Sequence, residues 1–174
     1  MWTSMETPVG PLRVIASPTA ITAIEFAGPP AESASQHSSV RRAAALSAGR
    51  PVGQRDDASP LLQEAVRQLR AYFARDLKEF DLPLHPAGTP FQKSVWAQLQ
   101  RIGYGETASY GEIALRLGRR LVASRAVGLA NGRNPIPIVI PCHRVVGANG
   151  TLTGYAGGIE RKQVLLELEQ DALF

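Results

Sequence analysis

The chain of 174 residues contains one cysteine, Cys142. A lone thiol excludes an internal disulfide and a zinc site built on several cysteines. No apolar run is long enough to span a bilayer. The first residues, Met1-Trp2-Thr3-Ser4-Met5-Glu6, have neither the basic head nor the apolar stretch of a secretory signal. Together with the single cysteine, this makes a cytoplasmic location the expectation. Aromatic residues make up only 6% of the chain, and residues 28–58 have none. Acidic residues are scarce in one stretch. Residues 89–144 hold two of them against eight basic residues, a balance of 8 − 2 = +6, whereas residues 1–88 hold nine of each. A basic surface confined to one half is the footprint of a polyanionic partner. A solvated face on an ordinary basic protein is the competing reading of charge alone. With 44% hydrophobic residues the chain can bury a core, and its length suits one domain or two small ones.

Residues 1–27 form three short apolar runs divided by Pro and Gly, the pattern of an antiparallel meander. Residues 28–58, rich in Gly, Pro, Ala, Ser and Arg, read as a long mobile loop containing His37, with some helix around Val40–Leu46. Ser59-Pro60 opens a helix that buries Leu62, Ala65, Val66, Leu69 and Phe73. Phe80–Leu84 reads as a last strand, and 85–88 as a linker in which His85 is exposed. Thr89-Pro90-Phe91-Gln92 and Ser109-Tyr110-Gly111-Glu112 are capping boxes that open two further helices. Phe91, Val95, Leu99 and Ile102 line the first, with Trp96 beside them. A third helix over Val122–Asn131 buries Ala123, Ala126, Val127 and Ala130 and turns Ser124, Arg125, Gly128 and Asn131 outward. Two short helices about a Gly/Arg connection have the layout of a helix-turn-helix. Small outer residues let a backbone approach a nucleic-acid groove, and equally allow tight helix packing.

The chemistry gathers in Asn134-Pro-Ile-Pro-Ile-Val-Ile-Pro-Cys142-His143-Arg144. Three prolines in eight residues predict a stiff, buried, extended segment that aims the cysteine. An imidazole and a guanidinium follow it directly, which suits a reactive thiolate; a small buried apolar residue is the ordinary role of a lone cysteine. Val145-Val146 reads as a short strand, and Gly147–Gly150 as a hairpin-type turn. Gly154-Tyr155-Ala156-Gly157-Gly158 lacks the Lys-Ser/Thr of a phosphate-binding loop and reads as a flexible wall with Tyr155 as a flat contact surface. A last helix turns Val164, Leu165 and Leu168 inward and carries Glu169 near its end.

The Pro-Cys-His-Arg segment, the Gly-Tyr-Ala-Gly-Gly loop and Leu165-Leu-Glu-Leu-Glu169 resemble the O6-alkylguanine-DNA alkyltransferases, closely over 89–174 and in outline over 1–82. The resemblance implies an α+β fold: a small N-terminal α/β domain like ribonuclease H (residues 1–84), the linker, and a mostly helical, winged-helix-like domain over 89–174. It implies that Cys142 accepts the alkyl group and that His143 acts as base through a water. Glu169 orients the histidine, and Asn134 braces the turn. Tyr110 bonds the extruded base, and Arg125 fills the gap left in the duplex, with Ser124 and Gly128 on the same helix face. Val145, Tyr155 and Ala156 line the base pocket; Ala156 stands where some members have serine. The implied partner is double-stranded DNA containing O6-alkylguanine, with O4-alkylthymine as a further substrate left open. No membrane, cofactor or metal is expected, since the zinc site of some relatives needs cysteines this chain does not have. A monomer is expected in solution, with cooperative binding along DNA left open.

The expected reaction is single-turnover: the thioether product has no carbonyl for water to attack. Three rivals compete: a cysteine hydrolase built on Cys142, His143 and Glu169, a non-catalytic reader of damaged DNA, and a regulator that senses alkylation.

Overall fold

The computed structural model describes residues 1–28 and 53–171. Most of the proposed 28–58 loop, including His37 and the helix around Val40–Leu46, lies outside the described residues. Three strands, β1 (Trp2–Met5), β2 (Leu12–Ala16) and β3 (Ile21–Phe26), form the expected antiparallel meander in the order β1-β2-β3. Alternation puts Leu12, Val14 and Ala16 of the central strand on its buried face. Helix α1 (Pro60–Phe73) packs on that face. The Ser59 side chain caps it through the Leu62 N–H, and Pro60 occupies its first turn. Its buried stripe is Leu62, Ala65, Gln68, Leu69 and Tyr72; Val66 and Phe73 are only half-buried.

Two expectations for this half are corrected. Phe80–Leu84 is not a strand: it makes one isolated bridge, Leu84 to Ile21, held by Ile21 N–H to the Pro83 carbonyl and His85 N–H to the Ile21 carbonyl. Pro83 has no N–H to extend a ladder. The buried amide of Gln68 pins the segment instead, donating to the Asp81 carbonyl and accepting the Asp81 N–H. Residues 53–58 are not loose, because Trp2 donates to the Gln54 carbonyl and accepts from Asp56, adding Arg55 as a parallel bridge beside β1.

Beyond the linker come α2 (Pro90–Leu99), strand β4 (Ala108–Ser109) and α3 (Tyr110–Arg116). Both predicted capping boxes form, Thr89 with Gln92 and Ser109 with Glu112, and Gly118 ends the second helix region at φ +70°. A 3-10 turn (Leu121–Ala123) precedes α4 (Ser124–Gly132). The α4 face differs from the expected one. Ala126 is exposed, whereas Asn131 is buried. Val127, Ala130 and Asn131 form the buried face of α4, where Trp96 Nε1 of α2 donates to the Ala130 carbonyl. Strand β5 (Val145–Val146) pairs in parallel with β4. Helix α5 (Ile159–Asp171) closes the described chain. It turns Arg161, Lys162, Leu165 and Glu169 inward; Val164, expected inside, faces solvent. The architecture is α+β, with a small N-terminal sheet domain and a helical C-terminal domain.

Candidate active site

The proline-rich segment is not extended. Ile140 N–H bonds back to the Ile136 carbonyl, and Ile138 sits at φ +75°. A β-branched residue in the left-handed region is strained. Packing holds it there, since Ile136, Ile138 and Ile140 are buried. Asn134 braces this turn from both ends, donating through Nδ2 to the Ile140 carbonyl (2.8 Å) and accepting the Ile136 N–H (3.0 Å). The chain then enters a one-turn 3-10 helix, Cys142–Arg144. Asn131 of α4 reaches it, donating to the Cys142 carbonyl at 3.3 Å.

That turn directs three adjacent side chains inward: Cys142 is 4% exposed, His143 0% and Arg144 6%. Glu169 of α5, 1% exposed, meets them there. His143 Nε2 lies 2.7 Å from Glu169 Oε1. Burial alone would raise the Glu169 carboxyl, but the bonds from His143 and Arg144 outweigh it and hold the group at about 2. An ionised carboxylate only accepts, so the imidazole hydrogen is on Nε2. Nδ1 is the ring nitrogen left as an acceptor; it is buried and carries no hydrogen bond. Burial also keeps the imidazole neutral, pushing its pKa below the usual histidine value against the pull of Glu169.

The thiol is subject to opposing effects. Burial pushes its pKa up; Asn134, the Tyr155 hydroxyl and the charge of Lys162 pull it down. Lys162 is fully buried on α5 and donates to the carbonyls of Val145 (2.5 Å) and Thr153 (3.3 Å). A buried ammonium beside a sulfur favours the thiolate. Arg144 is buried too. It donates to both Glu169 oxygens, from Nη2 at 2.9 Å and Nε at 3.0 Å, and through Nη1 to the Ile102 carbonyl at 2.7 Å.

Other expected site residues divide into two groups. Tyr110, at the start of α3, shares a 2.7 Å hydrogen bond with Thr153 Oγ1, and the Thr153 carbonyl is the one Lys162 bonds. Tyr110 is thereby tied to the wall of the thiol pocket. The Val145 carbonyl is occupied by Lys162. Tyr155, expected as a flat contact surface on a pocket wall, is 9% exposed, lies edge-on to Phe26, and turns its hydroxyl toward the sulfur without a well-aligned bond. Gly157 permits this, since a Cβ there would come within 2.7 Å of Phe26 and 2.9 Å of Tyr155. Ala156 is exposed beside it. Arg125 projects into solvent from α4, away from the buried cluster, with Ser124 and Gly128 half-buried on the same helix. Arg116, Arg119, Arg120 and Arg133 of the same half of the chain are exposed as well. Lys162 and Thr153 are not apparent as site residues from sequence, and Arg144, expected to favour the thiolate, instead binds Glu169. The signal was present for Lys162, which shares a helix face with Leu165 and Glu169 at spacings of three and seven.

A buried thiol within the field of a buried ammonium, followed in the same turn by a carboxylate-held imidazole, agrees with what comparison with known proteins finds. The profile of the 6-O-methylguanine DNA methyltransferase ribonuclease-like domain matches residues 1–86, and that of the same family's DNA-binding domain matches 90–171. The chain belongs to the 6-O-methylguanine DNA methyltransferase family. Among curated relatives, the methylated-DNA–protein-cysteine methyltransferase of Methanosarcina acetivorans is 64% identical over 107 residues, covering 62% of this chain and 68% of that protein. The enzyme of the same name from Mycolicibacterium paratuberculosis is 63% identical over 106 residues, covering 61% and 64%. Among solved structures, Mycobacterium tuberculosis O6-methylguanine methyltransferase superposes with a TM-score of 0.82 at 44% identity, covering 98% of this chain and 93% of that one. Mycobacterium tuberculosis OGT in complex with DNA gives 0.81 at 43%, with the same coverage. The family relation extends over both domains.

Proposed function

We propose that this protein repairs alkylated DNA directly, moving one methyl or other alkyl group from guanine O6 in duplex DNA onto its own Cys142. It is a methylated-DNA–[protein]-cysteine S-methyltransferase, consumed by one turnover. The observation that carries this reading is one enclosed thiol within reach of the Lys162 charge, followed in the same 3-10 turn by a neutral, Glu169-held imidazole. We assign the domains to 1–84 and 89–174, joined by 85–88.

The step is a displacement at an alkyl carbon. The thiol proton passes through a water to His143 Nδ1, the acceptor that the Glu169 bond leaves open. The thiolate attacks the carbon, a C–S bond forms, and the C–O6 bond breaks. Its electron pair goes to guanine O6, where the Tyr110 hydroxyl supplies the proton or hydrogen bond. The alkyl group is out of reach inside a duplex, so the nucleotide rotates out. Arg125 occupies the vacancy, with Ser124 and Gly128 close to the backbone, while Val145, Tyr155 and Ala156 wall the everted base. The exposed arginines of α3 and α4 make binding salt-dependent and weakly sequence-selective. The thioether resists hydrolysis, so the acceptor is not regenerated. Among the described residues no helix is long and apolar enough to cross a membrane. A monomer working in the reducing cytoplasm suits a free catalytic thiol.

Intact mass after mixing with duplex DNA containing O6-methylguanine tests the reading. One added methylene on the protein, absent in Cys142→Ala, supports it. Product continuing beyond one equivalent overturns it in favour of a hydrolase, and binding without a mass change in favour of a reader.

A further inference from the structure

The carboxylate that holds His143 is also held from the other domain. Tyr72, on α1, donates its hydroxyl to Glu169 Oε1 at 2.8 Å, across 97 residues of chain. The ring is fully buried. It packs edge-on against Phe73 and Tyr104 and tilted against Phe80, so the hydroxyl has one direction open to it. Glu169 Oε1 therefore receives three donors: Tyr72 at 2.8 Å, His143 at 2.7 Å and Arg144 at 2.9 Å. The same domain reaches the pocket a second time where Phe26 of β3 meets Tyr155, with the Arg161 guanidinium over the Phe26 ring at 4.7 Å.

We propose that Tyr72 is a positioning residue for alkyl transfer: by sharing the Glu169 oxygen that holds His143, its hydroxyl lets the N-terminal domain set the basicity of the active-site imidazole. This rests on the reading of Cys142 as acceptor and His143 as its base. The physical basis is competition for one oxygen. Each donor on a carboxylate draws charge from the others and weakens the basicity each one feels. Without the phenol hydrogen, the charge of Oε1 falls on His143 and Arg144 alone. The His143 imidazolium is then easier to form, and more of the imidazole is already protonated, and idle, at a given pH. A space-filling role for Tyr72 predicts none of this, because Tyr72→Phe keeps the ring and its aromatic neighbours.

The test is Tyr72→Phe followed by single-turnover transfer from an O6-methylguanine duplex across the range in which histidine titrates. The acid limb of the rate profile is expected to move up by about half a pH unit, which lowers the rate about threefold on that limb and less than about twofold at neutral pH. An unmoved limb, with the rate reduced only in proportion to the folded fraction, overturns the proposal. If wild type forms no adduct at Cys142, the functional reading fails, and the imidazole can still be followed without substrate. The His143 ring titration by NMR is expected to shift upward in Tyr72→Phe, and an identical titration overturns the proposal. If the variant does not fold, the wild-type Tyr72 hydroxyl proton is the readout. A slowly exchanging, downfield resonance with a cross-peak to the His143 ring supports the bond, and its absence refutes it.

Discussion

Glu169→Gln is the perturbation with the largest expected effect. The carboxylate neutralises a buried guanidinium, Arg144, and orients His143. The amide keeps the shape and removes the charge. Arg144 would then keep one amide oxygen, the Ile102 carbonyl and the Tyr104 ring, whose centroid is 5.8 Å away, but no counterion. Stranding one member of a buried pair costs about 3–5 kcal/mol. For a chain of this length that lowers the melting temperature by roughly 10 °C. Urea unfolding measures the loss directly. Removing the cation as well, in Arg144→Met with Glu169→Gln, should recover part of it. The double variant is expected to be more stable than Glu169→Gln by at least about 1 kcal/mol. Transfer to Cys142 should slow by at least about 100-fold in Glu169→Gln, because the imidazole loses both its tautomer and its charge partner. If Glu169→Gln melts within roughly 3 °C of wild type, Arg144 is satisfied without its counterion and the reasoning is wrong.

Three further outcomes follow from the same geometry. Alkylating Cys142 puts carbon into a site only 4% exposed, so the methylated protein should be less stable by about 1–3 kcal/mol, and more so with a larger alkyl group; equal melting of the two forms would show spare room around the sulfur. Arg125→Ala should leave the melting temperature within about 1 °C while weakening DNA binding and reducing the slope of log affinity against log salt by about one; an unchanged slope would place Arg125 off the DNA. Stability should fall with acid in two stages. The His143 pKa is depressed in the folded state, so the unfolded chain takes up a proton first, below the usual histidine pKa of 6.5. The Glu169 pKa is also depressed, and its contribution is lost as pH falls from 4.5 toward about 2. A urea-unfolding free energy that stays flat between pH 7 and pH 3 would contradict both assignments.

The helix starts were legible because their causes are local. Ser59, Thr89 and Ser109 cap through atoms three residues away, and the caps appear where the sequence puts them. Cys142, His143 and Asn134 were legible because a short motif carries them. What was not legible depends on contacts distant in sequence. The left-handed Ile138 has no local signal, since nothing about isoleucine favours that conformation; the packing of its neighbours imposes it. The inward face of α5 was read as Val164, Leu165 and Leu168 from hydrophobicity alone. The helix instead buries Arg161 and Lys162, because carbonyls from the turn and the glycine loop wait there to accept them. The glycine-rich loop around Tyr155 carries no local signal for how deeply the ring is buried. Phe26, 129 residues earlier, draws it inside.

Burial of the acceptor bears on the choice between a recycled and a consumed nucleophile. An enzyme that must release product needs solvent at its nucleophile, and a desolvated thiol with a raised pKa is a handicap there. A protein spent in one reaction has no release step to protect. For it, enclosure has two uses. It keeps stray electrophiles from an otherwise exposed sulfur, and it strengthens the influence of Lys162 and His143 on the one substrate pressed into the pocket. The handicap is offset only while both partners stay in place. That explains why so much of the fold converges on them: Asn134 and Asn131 on the turn, Thr153 and Val145 on Lys162, and Arg144 and Tyr72 on the carboxylate behind His143.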